Sequence, residues 1–285
     1  MKERVITSIF IVLVCVPVLL LSKYIVYPLF LSVLSVIALT ELFRCVGLHK
    51  KYAVAVPCYL AAAAMPPVSY ILKYVDEIDG TSKMMHRVLT VIVITLFVLM
   101  IYSFFVSVFS KGDPKFAEMA EIFVMTAYII ASFTTLSMIR YIENGVYCFG
   151  LVFLAAWTCD TFAYFTGYLF GKHKLIEEIS PKKTVEGAIG GIIFTVAAFL
   201  LYGLIVDLAW AEISVNYIVL GVSGLLLSVI SQIGDLIASL IKREHNIKDF
   251  GTIFPGHGGV MDRFDSILPV SASLFIICFF FPPFF

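Results

Sequence analysis

Long apolar stretches, separated by short polar segments, run through the whole chain. Nine of them reach the roughly 20 residues that a helix needs to cross a hydrocarbon core about 30 Å thick. They cover residues 5–22, 27–44, 52–73, 88–109, 117–139, 147–170, 188–208, 215–240 and 264–282. Several contain Gly, Pro or Ser, which membrane helices tolerate. The pattern predicts an all-α, polytopic membrane helix bundle with about nine transmembrane helices.

Composition strengthens the membrane assignment. Of the 285 residues, 61% are hydrophobic and only 14% are charged, whereas an ordinary soluble domain carries roughly 25% charged residues. A soluble protein with a very large core does not account for nine separate runs of membrane length. We therefore treat residues 1–285 as one membrane domain. Within it, residues 1–145 hold spans of uncertain role, and residues 146–285 hold the spans and loops with candidate chemistry.

The distribution of Lys and Arg predicts the orientation of the spans. If the N-terminus is cytoplasmic and nine spans alternate, 15 of the 20 Lys and Arg residues fall in cytoplasmic segments and the other 5 in outside segments. Because cytoplasmic loops carry an excess of these residues, the count favours this topology. We expect the N-terminus inside, the C-terminus outside, and the loops 171–187 and 242–263 on the cytoplasmic side.

Six polar side chains on the eighth span lie on one face of a helix, because they fall at offsets 0, 3, 4, 7, 11 and 14. They are Ser228, Ser231, Gln232, Asp235, Ser239 and Lys242. Lipid would leave these groups without hydrogen-bond partners, so the stripe is expected to face the bundle interior or a wet cavity. An ionised aspartate in a membrane is costly, so Asp235 is a functional candidate, with structural pairing to a neighbouring helix as the alternative.

The sixth span carries a weaker stripe of the same kind. Its members fall at offsets 0, 3, 4, 7 and 11 and are Asp160, Ala163, Tyr164, Gly167 and Gly171. The glycines permit close packing of helices. For Asp160, an internal hydrogen-bonded pair and a direct catalytic role are both open at this point.

Acidic and basic residues meet where the ninth span begins. Asp262 and Asp265 are spaced i,i+3 and share a helix face, and Asp235 of the preceding span is a third acid. Mg²⁺ suits such oxygen ligands, since it binds one or two carboxylates together with waters and substrate phosphates. The glycine-rich turn Pro255–Gly259 lets backbone N–H groups approach an anion. The neighbouring cations are Lys242, Arg243, Lys248 and Arg263. Together these features predict a nucleotide-handling site for phosphoryl transfer.

The same residues carry a family resemblance. The segment Ser239 to Asp265 fits S-x-x-K-R-x4-K-D-x-G-x3-P-x-H-G-G-x-x-D-R-x-D and resembles the signature of the phosphatidate cytidylyltransferases, also called CDP-diacylglycerol synthases. The stretches D-x-F-A-Y-x-x-G-x-x-F-G-K and S-P-K-K-T-x-E-G, from Asp160 to Gly187, resemble the family's second conserved region, and S-Q-x-G-D at 231–235 fits as well. The resemblance covers about residues 155–270.

What the resemblance implies is an enzyme that converts CTP and phosphatidate into CDP-diacylglycerol and pyrophosphate with Mg²⁺. A second, monovalent cation is left open. The resemblance also implies an all-helical membrane fold, a homodimer, and a polar funnel open to the cytoplasm and sideways to lipid. We expect an integral protein of a bacterial inner (plasma) membrane, with the active site facing the cytoplasm and no nucleic-acid partner.

The resemblance further implies roles for individual residues. The metal ligands are Asp235, Asp262 and Asp265. The catalytic residues are Lys242, Arg243, His257, Asp262, Arg263 and Asp265, where His257 is preferred as a group that orients a phosphate over one that abstracts a proton. The residues that bind substrate or its phosphates are Lys172, Ser180, Lys182, Lys183, Thr184, Lys248, Asp249, Gly258 and Gly259. Asp160 and Ser239 are further candidates.

Other functions stay open at this point. A membrane lipid kinase that uses CTP would release CDP instead of pyrophosphate. A secondary transporter would use Asp160 and Asp235 as ion or proton sites, but the sequence has no detectable internal repeat. A CDP-alcohol phosphotransferase is disfavoured because its D-G-x-x-A-R motif is missing from the chain.

Overall fold

A computed structural model of the chain describes residues 13, 16–79, 83–210 and 212–285, and helices dominate them. In chain order the elements are α1 (Val26–Cys45), a 3-10 turn (Leu48–Lys50), α2 (Tyr52–Asp79), α3 (Met84–Phe109), α4 (Phe116–Ile139), α5 (Gly145–Phe170), β1 (Lys174–Ile176), β2 (Ser180–Thr184), α6 (Val185–Ala209), α7 (Tyr217–Glu244), α8 (Met261–Phe264) and α9 (Ile267–Phe280). Most of the predicted span 5–22 lies outside the described residues.

The helices α1 to α7 are long and apolar enough to cross a membrane. They correspond one to one to the second to eighth predicted spans, so these seven predictions are confirmed. The last predicted span, 264–282, has different bounds, because a helix of only 14 residues, Ile267–Phe280, occupies it. At about 1.5 Å per residue this helix is about 21 Å long. Pro282 and Pro283 follow it, and proline cannot continue the backbone ladder of a helix.

The described chain divides into two compact units. The N-terminal unit is Met1–Tyr141 together with Ile247–Arg263, and the C-terminal unit is Ile142–Asn246 together with Phe264–Phe285. The first break, after Tyr141, lies close to the division at residue 145 that the sequence suggested. The segment Ile247–Arg263, which carries nine of the thirteen fixed positions of the sequence motif, belongs to the unit of the first spans.

In the N-terminal unit, polar side chains compensate for prolines inside α2. Proline has no N–H, so Pro66 and Pro57 leave the carbonyls four residues earlier without their helical donors. The Ser35 hydroxyl donates to the Ala62 carbonyl at 2.7 Å. The Tyr102 hydroxyl donates to the Ala53 carbonyl at 3.1 Å. Side chains from α1 and α3 thereby restore the missing bonds and fix these helices against α2.

In the C-terminal unit, glycines allow α6 and α7 to approach their neighbours closely. A Cβ atom on Gly187 would lie 2.6 Å from the Ala163 carbonyl oxygen of α5. A Cβ atom on Gly234 of α7 would lie 2.5 Å from the Asp265 carbonyl oxygen, in the turn that precedes α9. Both distances are far below van der Waals contact. These contacts bring the polar stripes of α5 and α7, together with the 265–266 turn, into one unit.

A short hairpin interrupts the all-α fold between α5 and α6. Strands β1 and β2 pair antiparallel, with Lys174 opposite Thr184 and Ile176 opposite Ser180. The Val185 amide donates to the His173 carbonyl at 2.9 Å and closes the base of the hairpin. The sequence analysis predicted only a cationic loop here, so the hairpin is an addition to the expected fold.

Candidate active site

A cavity of about 560 Å³ lies in the C-terminal unit, between α5, the hairpin, the start of α6 and α7. Its volume is within the range of ligand-binding clefts. All five members of the stripe predicted on the sixth span line it, and they are Asp160, Ala163, Tyr164, Gly167 and Gly171. The prediction that these residues share one face of a helix is confirmed, and a functional role for Asp160 stays a prediction.

The polar stripe on α7 faces the interior of the same unit. Ser228 and Ser231 are fully buried, Gln232 is 9% exposed, and Gln232 and Asp235 both line the cavity. The Gln232 amide donates to the Ala188 carbonyl at 3.2 Å, a partner that a polar group buried among apolar helices needs. The expectation that the stripe faces the bundle interior and a cavity is confirmed.

The hairpin is tied to α7 by an ion pair. Lys183 Nζ lies 2.6 Å from Asp235 Oδ2, and both side chains keep part of their surface exposed, 24% and 31% respectively. Lys183 Nζ is also 3.5 Å from the Gln232 carbonyl. Because the pair lines the cavity and remains open to water, its Coulomb energy is modest, and either partner can be exchanged for a ligand.

Three carboxylates of the C-terminal unit act on one another electrostatically. Asp235 of α7 repels both Asp160 of α5 and Asp265 of the turn before α9, and Asp160 and Asp265 also repel each other. Lys183 attracts Asp160, and Lys242 attracts Asp265. Three carboxyl groups therefore lie near two cations. This cluster, which we call the acid cluster, favours an additional cation.

Ser266 connects two members of the acid cluster. Its backbone amide donates to Asp265 Oδ1 at 2.8 Å, and its side chain is hydrogen-bonded to the Asp160 carboxylate. Asp160 is exposed on the cavity wall, whereas Ser266 is buried. Ser266 thus fixes the 265–266 turn against α5, at the depth where α7 contributes Asp235.

Cationic side chains line the same cavity. They are Lys172, Lys174, Lys182 and Lys183. The sequence analysis assigned three of them to phosphates but missed Lys174, which faces Thr184 across the hairpin. The strands are too short and too charged to show the period of two that predicts a strand, so this pairing has little signal in the sequence. A group of lysines of this kind can bind the phosphates of a nucleotide or a lipid.

Other predicted residues of the C-terminal unit frame the cavity. The Thr184 hydroxyl lines it and caps α6 by accepting from the Gly187 amide at 3.1 Å. Ser180 begins β2. The exposed Arg243 lies with its Nε 3.4 Å from the Ile179 carbonyl, at the tip of the hairpin. Ser239 lies one turn after Asp235 on α7, partly exposed.

The remaining predicted residues lie in the N-terminal unit. They are Lys248, Asp249 and members of residues 250–263, a segment that we call the motif loop. Its turn is closed by bonds from the Phe254 amide to the Gly258 carbonyl (2.9 Å) and from the His257 amide to the Phe254 carbonyl (2.8 Å). Gly258 has a φ of +86°, a left-handed conformation that favours glycine. Arg263 Nε donates to the His257 carbonyl at 2.8 Å.

Asp262 holds the motif loop together through backbone amides. It is buried, and its Oδ2 accepts from the Phe250 amide at 2.8 Å and from the Gly259 amide at 2.9 Å. The Gly259 amide, assigned to a phosphate from the sequence, thus donates to a carboxylate of the protein itself. Phosphate binding by Gly258 and Gly259 stays a prediction, as do substrate roles for the exposed Lys248 and Asp249.

A residue that the sequence analysis missed completes this loop. Glu41 of α1 is only 4% exposed, and its two oxygens accept the amides of Val260 (3.0 Å) and Met261 (2.8 Å). One feature of the sequence could have identified it, since Glu41 is the only acidic residue in the apolar helix α1. An ionisable residue inside a membrane span is a functional candidate by default.

Comparison with known proteins identifies the group to which this architecture belongs. The Cytidylyltransferase family matches residues 2–281, nearly the whole chain. The chain belongs to the cytidylyltransferase family. The resemblance found over residues 155–270 is therefore confirmed, and the similarity extends through the first spans, where the sequence analysis assigned no site residue.

Several relatives of this cytidylyltransferase are named phosphatidate cytidylyltransferase. The protein of Bacillus subtilis (strain 168) is 32% identical over 283 residues, which cover 97% of both chains. That of Staphylococcus haemolyticus (strain JCSC1435) is 34% identical over 277 residues, and that of Staphylococcus aureus (strain COL) 35% over 281 residues. Each of these two alignments covers 97% of the present chain and 98% of the relative.

The carboxylates of this cytidylyltransferase fit Mg²⁺ as a partial set of ligands, completed by waters and substrate phosphates. Among the described residues, no group of three or more His, Cys, Asp or Glu side chains is arranged to hold a metal ion by itself. Mg²⁺ does not need such a cage, because it commonly takes one or two carboxylates and completes its shell with waters and substrate phosphates. The acid cluster, beside a lysine-lined cavity, offers carboxylate oxygens of that kind.

Proposed function

We propose that this cytidylyltransferase transfers the cytidylyl group of CTP to phosphatidate and releases pyrophosphate. One observation carries the proposal. In a chain that aligns almost end to end with proteins named phosphatidate cytidylyltransferase, one cavity is lined both by lysines and by the carboxylates of Asp160 and Asp235. Two phosphate-bearing substrates and a divalent ion need positive and negative groups together in this way.

In the proposed reaction, a phosphate oxygen of phosphatidate attacks the α-phosphorus of CTP. The bond between the α-phosphorus and the oxygen that bridges to the β-phosphorus breaks, and pyrophosphate leaves with the bonding electrons. The attacking phosphate monoester is largely ionised near pH 7, so it needs no general base. The contribution of the protein is to orient the two phosphates in line and to neutralise their charge.

Lys172, Lys182 and Lys183 take the role of binding the phosphates. Lys183 already contacts Asp235, and both line the cavity. Mg²⁺, when bound, would offset the charge that develops on the leaving pyrophosphate. We assign Asp235 to it, with Asp160 and Asp265 as neighbouring donors. The assignment of Asp262 to the same ion stays a prediction from the sequence.

The proposal includes a location and an assembly. Nine spans with the N-terminus inside, supported by the excess of Lys and Arg in alternate loops, would open the site to the cytoplasm, where CTP is found. The bacterial relatives support a bacterial plasma membrane, the inner membrane where there are two. A homodimer is proposed from the family resemblance alone.

Product analysis tests the reaction. Purified protein in detergent is incubated with CTP labelled at the α-phosphate, short-chain phosphatidate and Mg²⁺. We expect the label in a lipid product, with one pyrophosphate released for each lipid labelled. Label recovered only as CDP would replace the proposal with a CTP-dependent lipid kinase. CTP that stays intact in the presence of phosphatidate would overturn it and favour a transporter.

A further inference from the structure

The contact between Glu41 and the motif loop is a two-pronged clamp on the backbone. Glu41 Oε1 accepts the Val260 amide at 3.0 Å, and Oε2 accepts the Met261 amide at 2.8 Å. The clamp joins positions that are about 220 residues apart in the chain. Hydrogen bonds from amides to an ionised carboxylate are short and strong, and a buried carboxylate needs them.

Two glycines of the motif loop leave the space that the Glu41 carboxylate occupies. A Cβ atom on either Gly251 or Gly259 would overlap the Glu41 carboxyl group. Neither glycine has a positive φ, unlike Gly256 and Gly258, so their backbone conformations are open to other residues. The space that Glu41 needs, and not the shape of the turn, therefore accounts for glycine at these two positions.

The clamp acts next to Asp262. The amides of three consecutive residues, Gly259, Val260 and Met261, are bound by two carboxylates: Asp262 takes the first and Glu41 takes the other two. Displacement of Val260 and Met261 would move both neighbours in the chain, Gly259 and Asp262. The orientation of the Asp262 side chain therefore depends on Glu41.

We propose that Glu41 is a positioning residue for cytidylyl transfer. Its carboxylate is supplied by α1 and holds the segment Gly259–Asp262 of the motif loop in its working geometry. The inference rests on the proposed function and on the role in it that the sequence motif predicts for Asp262 of the motif loop. It adds to the enzyme a residue from the first spans, which the sequence motifs leave without any role.

The decisive variant is Glu41→Gln in the full-length protein. Glutamine has nearly the same size as glutamate, but its NH2 group replaces one of the two carboxylate oxygens. One of the two backbone N–H groups, Val260 or Met261, would therefore face a donor instead of an acceptor. Because small displacements of reacting groups cost up to about 10²-fold in rate, we expect kcat to fall about 10- to 100-fold, with little change in KM for CTP. Hydrogen–deuterium exchange of residues 259–262 should become faster.

The matched control is Glu77→Gln, which changes an acid of the same unit that is half exposed and paired with Lys73 on α2. We expect wild-type kcat and wild-type exchange in the motif loop. A Glu41→Gln protein that folds and keeps the wild-type kcat overturns the inference. A wild-type protein that makes no CDP-diacylglycerol overturns the proposed function instead, so the two failures are distinguishable.

Coupling between Glu41 and Gly251 gives an independent test. Alone, Gly251→Ala should push the carboxylate off its amides and lower kcat. In a Glu41→Ala background the two closest contacts of the added methyl group are gone, and only the Gly259 Cα atom, at 3.1 Å, still crowds it. We expect Gly251→Ala to be clearly less harmful in that background, since residues in contact show non-additive effects. Additive effects would overturn the inference.

If Glu41→Gln does not fold, Glu41→Asp replaces it, because aspartate keeps the charge but is one methylene shorter. A wild-type kcat for Glu41→Asp would equally overturn the inference.

Discussion

The carboxylates of the cavity and those of the motif loop have different kinds of partner. In the cavity, Asp235 is paired with the side chain of Lys183, and Asp160 with the hydroxyl of Ser266. In the motif loop, Asp262 and Glu41 are bound by backbone amides. A flexible lysine can leave a carboxylate when a phosphate or a metal arrives, whereas a backbone amide cannot leave without a change of fold. The difference suggests that the cavity acids take part in exchange and that the loop acids maintain geometry.

The comparison predicts its largest effect for Asp262→Asn. Both backbone amides donate to the same oxygen, Oδ2, so the asparagine oxygen can still accept them. The two bonds lose the charge of their acceptor, however, at a cost of about 1–3 kcal/mol. We expect activity to fall by at least about 100-fold and the thermal midpoint in detergent to fall as well. The labelled-CTP assay and a melting curve measure the two losses. A stable protein with full activity would contradict a fixed role for the loop acids.

For Asp235→Asn we expect the same loss of activity without the loss of stability. The side chain is partly exposed and pairs with Lys183, so its contribution to folding is small, while the proposed metal site loses a charged ligand. An expected fall in kcat of about 100-fold should accompany an unchanged melting curve. Asp207→Asn is the control, because Asp207 is an exposed acid of the same unit that pairs with Tyr217. Equal effects of the two variants would remove Asp235 from the site.

A smaller effect is expected for Lys183→Met, which keeps the length of the side chain and removes its charge. The variant loses one contact to a phosphate and leaves Asp235 without its ion-pair partner. We expect kcat/KM for CTP to fall about 10-fold, the scale of one charged hydrogen bond. Lys73→Met, in the ion pair with Glu77, is the matched control. A rate equal to that of the control would show that Lys183 serves only the hairpin.

The smallest effect is expected for Ser35→Ala, which removes a hydrogen bond to the backbone that lies outside the proposed site. The Ala62 carbonyl would lose the donor that replaces the missing N–H of Pro66. We expect a loss of about 1 kcal/mol in stability and unchanged kcat per folded molecule, measured by melting and by the same assay. A large loss of kcat would mean that contacts with the backbone of α2 control the chemistry. The contrast between the carboxylates of the cavity and those of the motif loop would then explain less of the activity.

Much of the fold and part of the site were predictable from local patterns in the sequence. Hydropathy predicted the seven long helices, and helical spacing predicted the face of α5 with Asp160 and the face of α7 with Asp235. These predictions succeed because both depend on residues within a few turns of one another. Three of the four lysines of the cavity were found through the family motif, which carries information that spacing alone lacks.

The parts that escaped prediction depend on contacts between distant residues or on backbone geometry. Glu41 looked like a lone acid in a span, because its partners lie about 220 residues away. Lys174 lay in a loop without strand periodicity, so its position opposite Thr184 was hidden. The sequence indicated that the Gly259 amide can bind an anion, but it did not show that this anion is the carboxylate of Asp262.

The clamp between Glu41 and residues 260–261 has a consequence for biosynthesis. Residue 41 leaves the ribosome long before residue 260 is translated. Its carboxylate therefore lacks these two amide partners while more than two hundred residues are added. The motif loop can close only after nearly the whole polypeptide has been made. A prematurely terminated chain would then be inert however well its early helices insert, and enzymatic competence would mark the completion of assembly.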